Sequence, residues 1–363
     1  MAKTQNKMPG LFKIGKVWHI DKRVQGIRIC KSTYQTAYKK AEEIYLKWVN
    51  EIKDAKLLGQ RPKRTFSQAV DQYVNSHKKS SLGNDEIMLT KIKSFIGEKY
   101  LTEIHMGNLQ TLIKAKQKEG LKTATINNYL QVIRHVLNLA ASEWIDDYGL
   151  TWLETPPKIK FLKITDKRKP YPLSWEEQER LFKELPLYLR DMAIFKVNTG
   201  TRTQEVCNLK WEWEVNLKEI DTSVFIVPSE FVKNGEDRVI VLNKVAMSVV
   251  NSKRGDNKEF VFSNKGKQVK TMNNTAWRKA RELTDLLLVR VHDLKHTYGR
   301  RLRAAGVSME DRQDLLGHKS GKITTHYSMV EIETLINASN KILVNNTKKQ
   351  PGLTLLRVAS GKK

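Results

Sequence analysis

The chain has little cysteine: two in 363 residues, Cys30 and Cys207. They make no zinc spacing, and a reducing cytosol is the simplest setting for them. Long apolar runs are missing as well. No stretch of about 18 apolar residues occurs, so a membrane span is not expected. The opening MAKTQNKMPG lacks the apolar centre of a secretion signal, so export is not expected either. No basic amphipathic helix of the membrane-lying kind stands out. Acidic side chains are scarce beside basic ones, 39 Asp and Glu against 65 Lys and Arg, for a formal net charge of +26. A surplus of that size points to a polyanionic partner, although a merely solvated basic surface would read the same from charge alone. Internal repeats and long low-complexity runs are absent. The length fits roughly two or three domains with sizeable cores.

Residues 11–56 read as strand, turn, strand, helix. Val17–Ile20 and Ile27–Cys30 flank a turn ending at Gly26, and the helix runs from Thr36 to Lys53 with Ala41, Ile44, Tyr45, Trp48 and Val49 on one side. Lys13, Lys16, Lys22, Arg23, Arg28 and Lys31 crowd this small unit, which spans 1–57. A linker, LGQRPKR, breaks the periodicity at 58–64. From 65 to 150 the pattern is wholly helical. Thr65 or Ser67 caps a helix bearing Phe66, Val70, Tyr73 and Val74. Thr125 precedes the core stripe Ile126, Tyr129, Leu130, Ile133, Val136, Leu137 and Ala140, which ends near Trp144. Prolines at 156, 157, 170 and 172 then impose an extended connection whose Lys167 and Arg168 suit a phosphate backbone. Ser174 with Glu177 reads as a helix N-cap, opening a mixed α+β domain over 172–343. A basic tail, 344–363, carries Leu353, Leu355, Leu356 and Val358.

Chemistry-bearing residues concentrate in that mixed domain. Arg202 follows Gly200 in TGTRTQEV at an expected helix start, where its fork can hold two oxygens of one phosphate. Lys233 precedes Asn234-Gly235, a strong hairpin-turn signal between Val224–Val227 and Arg238–Leu242. Its ammonium could protonate a leaving alkoxide, an effect typically contributing about 10²–10⁴-fold. His292, Lys295 and His296 share a helical face in HDLKHTYG. Two histidines at that spacing also suit a metal. That reading wants a third ligand and usually a glutamate beside the first histidine, but position 293 is Asp and no cysteine cluster exists, so no metal is expected. Downstream, LLGHKSGKITTHY places His318 nine residues before Tyr327. The cations Arg202 and Lys295, the imidazoles of His292 and His318 and the phenol of Tyr327 are the equipment for attacking a phosphodiester with tyrosine.

In order and spacing these boxes, with FVKNGEDR between the first and second, resemble the tyrosine recombinase (phage integrase) family. The specific similarity covers about 170 to 330, with weaker similarity of pattern toward the N-terminus. The resemblance implies a multidomain protein: an N-terminal arm-type DNA-binding module of β-hairpin and helix, an all-α core-binding domain, and a mixed α+β catalytic domain. It implies that Tyr327 is the nucleophile, that Arg202, Lys233, His292, Lys295 and His318 serve the phosphate and its protons, and that Glu205 orients the site. A phenol of pKa ~10 is only about 0.1% ionised at pH 7, so forming phenolate costs roughly 4 kcal/mol unless the site assists. The covalent 3′-phosphotyrosine conserves the phosphodiester's energy, so no cofactor is expected.

One position departs from the family pattern: Lys295 stands where the family usually has Arg, keeping the charge but losing the bidentate fork. The implied partners are duplex DNA at attachment sites, copies of the chain in a tetramer, and DNA-bending and excision-directing proteins, in the cytoplasm of a bacterial host. The implied activity is integration, with excision, of a phage or mobile element. Two rivals stay open: a type IB-like topoisomerase, which uses similar groups on one duplex, and a DNA-binding relic disabled at Lys295. The helix expected at Val330–Leu343, apolar at Ile332, Leu335, Ile336, Ile342 and Leu343, either caps its own domain or docks on a neighbour.

Overall fold

The computed structural model describes residues 8–79, 81–317 and 329–344. The chain divides into two compact units, one up to Arg168 and one from Lys169.

The first unit begins with three antiparallel strands, β1 (Leu11–Ile14), β2 (Val17–Val24) and β3 (Ile27–Ser32), in sheet order. Val24 pairs with Ile27, so β2 and β3 are joined by Gln25 and Gly26 alone, both at positive φ as a tight hairpin turn of that hand requires. Alternation sends Trp18, Ile20, Val24 and Ile29 onto helix α1 (Tyr38–Leu58), where Ala41, Tyr45, Val49 and Ile52 receive them. Strand β1 was not anticipated from sequence, because only Leu11 of its four residues is buried and no alternation announces it. Helix α1 also outruns the expected Lys53. Ala55 continues its buried face, and Gly59, at φ 65, provides the left-handed cap that ends it.

Four helices follow: α2 (Phe66–Ser76), α3 (Leu82–Ile96), α4 (Met106–Lys118) and α5 (Thr123–Ser142). Thr65 caps α2 through a reciprocal box with Gln68. Phe66, Tyr73, Leu89, Ile92, Leu112 and the α5 stripe from Ile126 to Ala140 share one core, which Trp144 joins. The extended segment beyond is tied back by Asn127, which bonds the Leu162 carbonyl and amide at 2.9 and 2.8 Å.

The second unit opens with α6 (Trp175–Lys183), capped by Ser174 and Glu177, then α7 (Leu187–Thr199) and the short α8 (Thr203–Cys207). An antiparallel sheet, β4 (Glu214–Leu217), β5 (Thr222–Val227) and β6 (Arg238–Val241), is followed by α9 (Lys244–Ser252) and the small hairpin β7 (Ser263–Asn264) and β8 (Lys267–Gln268). Then come α10 (Thr275–Leu283), α11 (Asp293–Ala304), α12 (Met309–Leu316) and α13 (Met329–Val344). The link between β5 and β6 departs from expectation. Val227 pairs with Arg238, so the connection is the whole stretch from Pro228 to Asp237 rather than a tight Asn-Gly turn. Buried Val232, Phe231 packed on Trp213 at 5.0 Å, and Asp237 accepting from the Ser229 amide hold this longer loop in shape.

Helix α13 packs on its own unit: Leu335, Ala338 and Ile342 are buried with Tyr298, Leu302 and Leu315. The Tyr298 hydroxyl meets Ser339 Oγ at 2.7 Å. If this packing anchors the helix, Leu335→Ala should destabilise the second unit by about 2–4 kcal/mol, the usual cost of emptying a buried leucine site. A urea unfolding curve unchanged by that substitution would show that α13 does not dock here in solution.

Candidate active site

The turn after α7 is built to present Arg202. Gly200 sits at φ 64, and a Cβ there would lie 2.6 Å from Tyr298 Cδ1 and 2.9 Å from Leu316 Cδ2, so only glycine fits. Arg202 is the N-cap residue of α8. Its backbone amide donates to Glu205 Oε2 at 2.7 Å, and its Nη1 donates to Oε1 at 2.9 Å. Its other terminal nitrogen donates to the Gly317 carbonyl at 3.0 Å.

Glu205 is 2% exposed and holds a second guanidinium, that of Arg238 on β6, which is itself buried. Arg238 also donates to the Leu315 carbonyl at 3.3 Å. Burial alone would raise the Glu205 carboxyl. The Arg238 charge and the bonds from Arg202 outweigh it and hold the group at about 2. A Cβ at Gly317 would lie 2.6 Å from Arg238 Nε, so this glycine too is dictated by close approach, at φ 56.

Lys295 projects from α11 into the same region, 5% exposed, and donates to the Leu316 carbonyl. Burial pulls its ammonium down to about 6, with Arg238 adding to the effect and Glu205 opposing it. His292 immediately precedes α11 and is exposed. Partial burial, the edge-on His296 ring at 4.8 Å, and the charges of Lys196 and Lys295 push its imidazole well below the ordinary range, which leaves it neutral. Lys233 is exposed on the β5–β6 loop, and its neighbour Asn234 reaches both Arg202 Nη2, at 3.5 Å, and the Gly317 carbonyl, at 3.4 Å. A cavity of about 660 Å³ opens alongside, lined by His292, Lys295, His296, Arg300, Arg303 and Arg312.

Arg202, Glu205, His292 and Lys295 are thus brought together, with Lys233 one residue from a direct contact. His318 and Tyr327 lie outside the described residues, although Gly317, whose carbonyl accepts from Arg202, is the residue before His318. Tyr298 is unsuited to nucleophilic attack: it is fully buried, and burial drives its phenol pKa upward. Among the described residues no group of three or more His, Cys, Asp or Glu could hold a metal, and no helix is long and apolar enough to cross a membrane.

The remaining basic candidates lie in the first unit. There Lys22 donates to the Tyr45 hydroxyl at 2.6 Å, and Arg28 grips Asp21 through two bonds of 2.8 and 2.7 Å. Lys13, Lys16 and Arg23 are exposed, as is Lys167, while Arg168 is half-buried. Two functional-site residues were missed in the sequence. Arg238 occupies an inward position of β6, and Lys196 interrupts the apolar run Met192–Val197 of α7, fully buried. A charge at an inward-facing position was the available signal in both.

The model of the phage integrase family matches residues 173–333, and that of the phage integrase SAM-like domain matches 64–149. The chain is 26% identical over 361 residues to the integrase of Salmonella phage P22, covering 88% of this chain and 90% of that one. It is 30% identical over 234 residues to the tyrosine recombinase XerA of Pyrococcus horikoshii, covering 62% and 76%. Among solved structures, a lambda integrase tetramer bound to a Holliday junction aligns with a TM-score of 0.54 at 16% identity, over 90% of this chain and 99% of that one.

The buried lysines give the DNA-free protein a distinctive pH response. Lys295 titrates near 6 and Lys196 near 7 when folded, against about 10.5 for a free lysine. Between those limits the unfolded chain binds more protons than the folded one, so stability should rise with pH from about 6 to 9. Lys295→Met removes one contributor and should flatten the rise in urea midpoints over that range. An unchanged slope would mean that Lys295 is not buried as a depressed ammonium.

Proposed function

We propose that this chain, which belongs to the phage integrase (tyrosine recombinase) family, is a site-specific recombinase of a mobile element that cuts duplex DNA with Tyr327. The observation that carries the reading is the buried Glu205 carboxylate. It fixes Arg202 from both backbone and side chain, beside the Lys295 ammonium and one residue from His318.

In this reading Arg202 and Lys295 take the non-bridging oxygens of the scissile phosphate, with His318 donating to one of them. The Tyr327 phenol attacks phosphorus in line, and its proton passes to the neutral imidazole of His292. The bond to the 5′-oxygen breaks as the 3′-phosphotyrosine forms, and the Lys233 ammonium supplies that oxygen's proton. Attack by the 5′-hydroxyl of a second cut duplex reverses each transfer and joins the new strand. An arriving phosphodiester anion also favours the charged form of Lys295, so substrate binding restores the cation that burial suppresses. No step requires a metal.

The proposed division of labour gives arm-site DNA to 1–57 through Lys13, Lys16 and Arg23, core-site DNA to 65–150, and strand cleavage to 172–343, with 344–363 as a basic tail. A tetramer on two duplexes is the working assembly, by analogy with the lambda integrase tetramer on a Holliday junction. The setting is a bacterial host's cytoplasm, where accessory bending and excision-directing proteins would choose the direction.

A suicide substrate built from the element's junction DNA should trap a covalent protein–DNA adduct, and EDTA should not prevent it. Tyr327→Phe should bind the same DNA yet form none. Lys295→Ala should slow trapping by at least about 10²-fold, as when one transition-state donor is lost. An adduct formed by the Phe variant would unseat Tyr327. No adduct from the parent would favour the relic, and relaxation of one duplex without strand exchange would favour the topoisomerase.

A further inference from the structure

Lys196 is a lysine where the fold has every reason to want an apolar residue. It lies on α7 among Met192, Ala193, Phe195 and Val197, all buried in the second unit's core, and is itself 0% exposed. Burying an ammonium without a partnering carboxylate is costly. Its ion-pair partners among the described residues are none, and the one hydrogen bond it donates goes to the carbonyl of Thr201. That carbonyl belongs to the peptide group whose N–H is the Arg202 amide, and that N–H donates to Glu205 Oε2 at 2.7 Å. One peptide plane is therefore held at both ends, by the Lys196 Nζ donor on its oxygen and a carboxylate on its nitrogen.

We propose that Lys196 is a positioning residue for Arg202: with Glu205 it clamps the Thr201–Arg202 peptide and so sets the direction from which the guanidinium meets phosphate. A peptide group is rigid, so fixing its two polar ends fixes the path of the chain into Arg202. The preceding residue cannot do this alone, because Gly200 lacks a side chain and sits in the left-handed region. Thr199 and Thr201 contribute a contact between their hydroxyls at 3.0 Å, but this orients side chains rather than the peptide. Among the groups that act on the Lys196 charge, Glu205 and Cys207 favour it, and Arg238 and Arg202 oppose it. Burial remains the largest influence, so the position is maintained against its own electrostatic penalty, as expected of a functional rather than a stabilising residue.

The inference rests on the reading of Arg202 as a phosphate-binding residue, and the test separates the two. Single-turnover cleavage and DNA affinity are measured for the full-length parent, Lys196→Met, Lys196→Gln and Arg202→Ala. Methionine fills the same space without a donor, so Lys196→Met should be at least as stable as the parent and bind DNA within about twofold. Its cleavage rate should nevertheless fall about 10–100-fold, the penalty for a small misplacement of a catalytic group. Lys196→Gln keeps a shorter N–H donor and should fall between Met and parent. A folded Met variant that cleaves at the parent rate, while Arg202→Ala is inactive, overturns the inference alone. An Arg202→Ala variant at the parent rate overturns the reading of Arg202 and the inference with it. Should the Met variant not fold, Gln decides: a rate at least about threefold below the parent with unchanged affinity supports the clamp, and a parent rate removes it.

Discussion

One buried carboxylate organises the catalytic unit. Glu205 accepts from the Arg202 amide, the Arg202 guanidinium and the Arg238 guanidinium, and it is 2% exposed. Such a triad is poor evidence for stability, because desolvating three ions offsets much of their attraction and apolar residues of similar volume would serve as well. Its value is geometric. It gathers the turn at 200–202, the first residue of β6 and the carbonyls at the end of α12 around one point. At the two glycines that approach it, Gly200 and Gly317, an added Cβ would strike a neighbouring side chain.

Around that point the charges do not balance. Arg202, Arg238, Lys295 and Lys196 face a single carboxylate, and the two lysines are pulled far below their ordinary range, chiefly by burial. A folded protein tolerates such a surplus where an anion is to arrive, because donors fixed in advance need no reorganisation when charge develops on the substrate. The replacement of the family's usual arginine by Lys295 fits the same picture. On the proposed reading a lysine can relinquish its proton before phosphate binds and regain it beside phosphate, which a guanidinium cannot do.

Much of this was legible in the sequence. The Thr65 and Ser174 caps, the α5 stripe and the TGTR and HDLKH boxes rest on local patterns that propensity and spacing encode. Features that depend on distant partners were not. Strand β1 offers one inward residue and pairs only because β2 is present. The β5–β6 loop contains Asn234-Gly235 but is shaped by Trp213 and Asp237 instead. Arg238 and Lys196 stand out in the sequence only as charges at inward-facing positions, and their partners, Glu205 and the Thr201 carbonyl, are set by the fold. The composition of the first unit shows six basic residues crowded together, yet Lys22, Arg28 and Lys31 are engaged by Tyr45, Asp21 and Asp147.

The Glu205 charge aims Arg202, and the decisive substitution is Glu205→Gln. Glutamine nearly preserves shape but carries no charge to compensate two guanidiniums, and only one of its two terminal atoms accepts hydrogen bonds. Single-turnover cleavage should fall by about 10²-fold or more, as for loss of a transition-state donor, while DNA affinity is retained because the protein gains net positive charge. A folded Glu205→Gln protein that cleaves at the parent rate would show that the carboxylate does not aim Arg202.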